Sequence, residues 1–152
     1  MEIRAAQPQD AQRLSAIAYA AKAHWGYDAD VLEGWRAELA VSASDVLAYP
    51  TYVAVSNGDI VGFHMLKPGP LQWVLEHVWV DPPSFSQGIG MQLLRHALGV
   101  AAREGAQTVV VASDPNAAGF YEHAGGERCG TTPAPIPGES TRTLPLYQFR
   151  LA

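Results

Sequence analysis

The sequence predicts an α/β fold with a mixed sheet, an antiparallel meander joined to a parallel strand with helices on both faces. Three observations carry that expectation. Strand-period segments flank Asn57-Gly58, a hairpin signal because both residues tolerate positive φ. The helical stripe Met91, Leu94, Leu98, Ala101 leads into the β-branched run Thr108 to Ala112, and a strand reached through a helical crossover lies parallel to its neighbour. Helical patterns also precede the meander, so helices and strands alternate in blocks along the chain.

Each element follows in order. Met1 to Ala6 alternates as a short strand, and Gln7-Pro8-Gln9-Asp10 supplies a turn and a helix start, with Pro8 in the first turn. Leu14, Ile17, Ala18 and Ala21 recur at helical spacing until Gly26. Val31, Leu32, Trp35 and Leu39 form a second helical pattern, which Asp28 or Asp30 caps. Thr51 to Val55, Ile60 to Leu66 and Leu71 to Val80 are the three strands of the meander, the last two separated by Lys67-Pro68-Gly69-Pro70. Asp81-Pro82-Pro83 stops the third, and the long helix after it ends near Gly105. Asn116 to His123 is a short helix stopped by Gly125-Gly126. Glu127 to Thr132 and Thr143 to Leu151 are a closing pair of strands around a loop rich in Pro133, Pro135, Pro137 and Gly138. No internal repeat or linker interrupts the 152 residues, which are read as one domain, residues 1–152.

Composition bounds the function. With 48% hydrophobic and 16% charged residues the chain has the makings of a core and no case for disorder. A net charge of −5 with only 10 Lys and Arg excludes a nucleic-acid surface and suits a small cationic partner better. The single cysteine, Cys129, rules out an internal disulfide and is expected as a buried small hydrophobe. The five histidines lack the spacing of a metal site, so none is expected. No apolar stretch approaches the ~20 residues a membrane helix needs, and no leader pattern opens the chain, so a cytoplasmic protein without a membrane partner is expected.

The sharpest local signal is Ser86-Gln87-Gly88-Ile89-Gly90 between a strand and a helix. Glycines there let backbone approach a ligand, and the unpaired N–H groups and dipole of the helix start attract phosphate. The same pattern also serves as an ordinary tight connection. It lacks the Gly-Lys-Ser/Thr of a nucleoside-triphosphate loop, and three antiparallel strands before it disfavour a dinucleotide fold.

Two longer segments resemble the GNAT superfamily of acyl-CoA-dependent N-acetyltransferases. Glu76-His77-Val78-Trp79-Val80-Asp81-Pro82 followed by Gly88-Ile89-Gly90-Met91-Gln92-Leu93-Leu94 is similar to the family's motif A, a splayed strand leading into a pyrophosphate loop and helix. Asp114-Pro115-Asn116-Ala117-Ala118-Gly119-Phe120-Tyr121-Glu122-His123-Ala124-Gly125 resembles its motif B. The resemblance covers Thr51 to Gly126. It implies an enzyme that transfers an acetyl group from acetyl-CoA directly to a primary amine of a small molecule or peptide, the coenzyme entering where two parallel strands diverge.

The resemblance also implies roles. Val78, Val80, Phe85, Ser86, Gln87, Gly88, Ile89, Gly90, Asn116, Phe120 and Tyr121 would contact the coenzyme, with Phe85 standing where the family usually has Gln or Arg. Tyr121 matches the proton donor to the coenzyme sulfur; its alternative is a core aromatic beside Phe120. Asn116 is alternatively a helix cap. An amine of pKa ~10 needs a base before it can attack a thioester. Glu76 is the candidate base, with His77 as the rival from the opposite strand face or as an acceptor contact. The Val80 N–H would polarise the thioester carbonyl. Trp25, Tyr27, His64 and His77 would line the acceptor site. Two other readings share the fold: a silent acyl-CoA sensor, and a protein-interaction module. A homodimer through the C-terminal strands is compatible with the sequence.

Overall fold

A computed structural model describes residues 1–151. Strands β1 (Glu2–Ala5), β2 (Thr51–Ser56), β3 (Asp59–Lys67), β4 (Gln72–Val80), β5 (Thr108–Ala112), β6 (Glu127–Pro133) and β7 (Thr143–Arg150) have the order β1-β2-β3-β4-β5-β7-β6 in a seven-stranded sheet. The helices are α1 (Ala11–Ala23), α2 (Ala29–Leu39), α3 (Ala43–Ala48), α4 (Ile89–Arg103) and α5 (Ala118–His123). The chain falls into two compact units, Met1–Lys67 with Leu75–Ala97, and Pro68–Val74 with the chain from Leu98 onward. No helix among the described residues is long and apolar enough to cross a membrane.

In the first unit β1 and β3 flank β2, both antiparallel to it. Asn57 and Gly58 both take positive φ, 52° and 82°, the demand that a two-residue hairpin of this hand makes. Val53 and Ala54 then face opposite sides of the sheet. Val53 joins Phe63, Met65, Leu14, Ile17, Ala18 and Leu39 in one cluster, while Ala54 joins Val61, Ile89 and Leu93 in another. Helices therefore cover both faces, α1 and α2 on one and α4 on the other, as the alternation of apolar residues requires.

Gly62 shows how tightly α4 and β4 close on β3. A Cβ on Gly62 would lie 2.8 Å from the Trp79 carbonyl oxygen and 3.0 Å from Leu93 Cδ1. The obstacle is backbone and cannot rotate away, so Gly62→Ala should cost about 1–2 kcal/mol. Urea denaturation checks this; an unchanged midpoint would refute the close approach.

Helix α3 is absent from the sequence expectation. Its start is a capping box: Ser42 Oγ accepts from the Asp45 N–H at 3.0 Å, and Asp45 Oδ2 accepts from the Ser42 N–H at 2.9 Å. The Ser42-x-x-Asp45 spacing was the available signal. Asp28 occupies the cap position of α2 but makes no side-chain capping bond.

In the second unit Gln72, Trp73 and Val74 pair in parallel with Thr108, Val109 and Val110. β7 lies antiparallel to β5 and carries β6 on its other side. The β6–β7 connection tightens at Ile136-Pro137-Gly138-Glu139, where Gly138 has φ 83°. Cys129 is exposed, not buried as expected. It lies on β6, the last strand in the order, whose residues are nearly all exposed.

Candidate active site

In the first unit the segment after β4 makes a 3-10 turn, Pro82–Ser84, and then the loop that opens α4. Ser86 has φ 66° and Gly88 φ 77°, while Ser86, Gln87 and Gly88 are exposed. The Gln92 N–H donates to the Gly88 carbonyl at 3.2 Å, so the N–H groups of Ile89, Gly90 and Met91 have no acceptor within the helix. No heavy atom lies within 4 Å of where a Gly88 Cβ would stand. Open space, successive amides and the positive end of a 15-residue helix together fit a pyrophosphate. Ile89 is buried and anchors the loop in the cluster with Ala54, Val61 and Leu93. The Phe85 ring meets His24 edge-on, centroids 4.8 Å apart, so its position is fixed by the end of α1.

β4 sends its residues to alternate sides over Gln72–His77 and then loses the alternation, Val78, Trp79 and Val80 all being half-buried. Glu76 is exposed, with its carboxylate 3.7 Å from Lys67 Nζ. A pair this open to solvent contributes little to stability, and it leaves the carboxylate accessible. His77 is buried on the other side, against Phe63, and its Nδ1 accepts a hydrogen bond from Trp79 Nε1 at 3.0 Å. Burial holds its pKa below the ordinary range, and the Lys67 charge adds to this against the opposing pull of Glu76 and Asp45. The neutral ring thus carries its proton on Nε2, and its one lone pair already faces the indole. That arrangement disfavours His77 as a base and gives it a structural task.

His64 has no exposed surface. Its Nε2 lies 2.9 Å from His96 Nδ1, and both rings pack on Tyr52, with centroids 5.3 and 4.7 Å away. The expected acceptor contact through this side chain is therefore not available in the structure: β3 turns His64 toward α4, where His96 covers it. Trp25 is exposed and contacts His24, whereas Tyr27 packs edge-to-face on Trp35.

The second unit holds the other candidates. Asp114 caps the 3-10 turn Pro115–Ala117, its Oδ1 accepting from the Asn116 N–H at 2.8 Å and from Asn116 Nδ2 at 2.9 Å. The cap is thus Asp114, and Asn116 is exposed beside it. Arg142 Nη2 lies 3.9 Å from Asp114 Oδ2 with both side chains nearly buried, while its Nη1 donates to the Ala134 carbonyl. The proline-rich loop is thereby tied to the turn that starts α5. Neither Asp114 nor Arg142 stood out as functional in the sequence, although Asp before Pro is a helix-start signal.

Tyr121 on α5 is buried, with Phe120 edge-on at 5.1 Å and Tyr147 stacked at 6.1 Å. Tyr147 is itself fixed by a hydrogen bond to Glu122 Oε2 at 2.6 Å. Gly126 closes behind: its N–H donates to the Tyr121 carbonyl at 2.9 Å, and a Cβ there would meet that oxygen and the Phe149 ring. Burial, aided by the Asp114 charge, raises the Tyr121 pKa, so the phenol keeps its proton through the neutral range. A buried, fully protonated phenol is a hydrogen-bond donor suited to a developing thiolate.

Residues 15–126 match the model of a family described as Acetyltransferase (GNAT) family. The peptidyl-lysine N-acetyltransferase YjaB of Salmonella typhimurium is 32% identical over 132 residues, 82% of each chain. Among solved structures, a GCN5-related N-acetyltransferase from Rhodopseudomonas palustris superposes with a TM-score of 0.81 at 24% identity, over 99% of this chain and 95% of the other. The PaiA N-acetyltransferase of Thermoplasma acidophilum, in complex with coenzyme A, gives 0.75 at 18% identity over 98% of each.

Proposed function

The chain belongs to the GNAT family of acetyltransferases, and from that premise we propose that it moves an acetyl group from acetyl-CoA directly to a primary amine of a small molecule or peptide. The name of the Salmonella relative makes a peptidyl lysine the first acceptor to try. The observation that carries the reading is the exposed loop Ser86–Gly88, bent by two positive φ angles into a run of free helix-start amides.

The chemistry follows from the groups present. An alkylammonium of pKa ~10 must lose a proton before it can attack. Glu76, the accessible carboxylate of β4, takes that proton directly or through water. The amine nitrogen then bonds to the acetyl carbonyl carbon, whose oxygen the Val80 N–H polarises, and the carbon–sulfur bond breaks. Tyr121 donates its proton to the departing sulfur and regains one from the nitrogen, which sheds its second proton as the amide forms, with Phe120 and Asn116 as coenzyme contacts. The 152 residues act in this reading as one acetyltransferase domain.

Calorimetric titration with acetyl-CoA tests the loop. Gly88→Asn and Gly88→Asp make the same backbone demand at φ 77°, and only the second adds a charge. Gly88→Asp is expected to bind about tenfold more weakly than Gly88→Asn, since a carboxylate beside the amides competes with phosphate. Equal affinities would remove the pyrophosphate from this loop. Acetyl-CoA binding without any amine-dependent thiol release would reduce the protein to a binder on an acetyltransferase fold.

A further inference from the structure

Two helix ends of opposite sign meet beside the Ser86–Gly88 loop. α4 begins there, and its open amides carry the positive end of a 15-residue helix. α1 ends there with His24, whose backbone N–H donates to the Ala20 carbonyl at 3.1 Å. The His24 ring stands at 87° to that of Phe85, the residue that opens the loop, with centroids 4.8 Å apart. Phe85 is half-buried, whereas His24 is exposed, and its other ring neighbour, Trp25, lies 6.3 Å away and is itself exposed. Among the described residues no hydrogen bond or ion pair engages the His24 imidazole, so its nitrogens are left to solvent.

The loop is short of charge for an anion of this kind. Phe85-Ser86-Gln87-Gly88-Ile89-Gly90 contains no Lys or Arg. Arg13 reaches the end of β4 but is engaged there, its Nη2 lying 2.9 Å from Asp81 Oδ2 and 2.9 Å from the Ile60 carbonyl oxygen. A pyrophosphate carries full negative charges, and a helix start offers only a partial positive one, on the order of half an elementary charge. A side chain that aims a further N–H at the phosphate has a task at this place. Imidazole supplies an N–H in either protonation state.

We propose that His24 is a contact of the coenzyme site, its imidazole donating an N–H to a phosphate oxygen held at the Ser86–Gly90 amides. The contact rests on the acetyl-CoA reading and extends it, because the end of the first helix then closes on the diphosphate together with the β4–α4 loop. Packing against Phe85 accounts for a ring at position 24 but not for a polar one. A phenyl ring would make the same edge-to-face contact and remove more apolar surface from water.

Calorimetric titration of wild type, His24→Phe and His24→Arg with acetyl-CoA separates the two roles, since they order the variants oppositely. The phosphate contact predicts that His24→Phe binds about tenfold more weakly than wild type, the loss of one hydrogen bond to a charged group. It predicts that His24→Arg, which restores N–H donors, binds within about threefold of wild type. Packing alone predicts that His24→Phe matches wild type and that His24→Arg is the weaker variant. Because the ring is exposed, the three proteins should share one urea midpoint, so the comparison is between folded proteins. Equal affinities in wild type and His24→Phe, or a His24→Arg weaker than His24→Phe, would overturn the contact and leave acetyl transfer standing. A folded wild type that binds no acetyl-CoA would instead remove the acetyl-CoA reading, and the contact with it.

Discussion

Replacing Tyr121 by Phe is expected to lower kcat about a hundredfold while leaving acetyl-CoA affinity within about twofold of wild type. The loss is that of a general acid positioned at a leaving group, a contribution typically of 10²- to 10⁴-fold. The ring itself should stay where it is. It is held by Phe120, by the stacked Tyr147 and by the close packing of Gly126, none of which involves the hydroxyl. Because burial and the Asp114 charge raise the phenol pKa, wild type should show no loss of activity from Tyr121 ionisation as pH rises through neutrality. Single-turnover measurement of thiol release, beside calorimetry with acetyl-CoA, separates chemistry from binding. A variant with unchanged single-turnover rate would assign Tyr121 to packing alone.

The second expectation concerns stability and pH. His64 is neutral in the fold because burial, and secondarily the neighbouring His96, lower its pKa to about 3. Its unfolded value is ~6.5. A histidine depressed in this way binds more protons unfolded than folded over the interval between those values. Its contribution is therefore complete above pH 6.5 and is lost as pH falls toward 3. One proton corresponds to about 1.4 kcal/mol per pH unit, so the unfolding free energy should fall by about 2–3 kcal/mol between pH 6.5 and pH 4.5. Among the described residues the buried Nδ1 of His64 has no hydrogen-bond partner, so a proton added there would gain no acceptor. His77 is depressed in the same direction and steepens the slope. Urea unfolding at a series of pH values checks this, with His64→Leu expected to flatten the profile. A wild-type free energy that stays level from pH 7 to pH 4.5 would contradict it.

The histidine pair joins β3 to α4, the helix that the Ser86–Gly88 loop opens, so acid that weakens the pair also loosens the platform beneath that loop. In the second unit the nearly buried ion pair of Asp114 and Arg142 ties the turn that precedes α5, the helix of Tyr121, to the proline-rich loop.

What the sequence determined by itself is what short-range rules govern. Asn57-Gly58 forces a hairpin because few other residue pairs occupy two successive positive φ positions at low cost. The β-branched run Thr108–Ala112 forms a strand with the bounds that the pattern predicts. Ser86 to Gly90 makes its loop because glycine and the start of a helix shape that backbone locally. Even α3, unforeseen, was written in the four residues Ser42 to Asp45. The resemblance to an acetyltransferase was legible for the same reason, since its motifs are contiguous.

Only the tertiary structure decided which polar groups meet. His64 and His96 are 32 residues apart, and nothing near either one marks it as buried opposite the other. Strand alternation put Glu76 and His77 on opposite sides, yet the hydrogen bond from Trp79 that occupies the His77 lone pair depends on how far that side is covered. Lys22 reaches two rings across a helix junction, and Arg142 reaches Asp114 from a loop 28 residues later. Cys129, apolar by type, is exposed on the last strand in the sheet order. Local pattern fixes backbone geometry within a few residues, whereas protonation state and side-chain pairing depend on desolvation and on charges brought close by chain closure, which no local window contains.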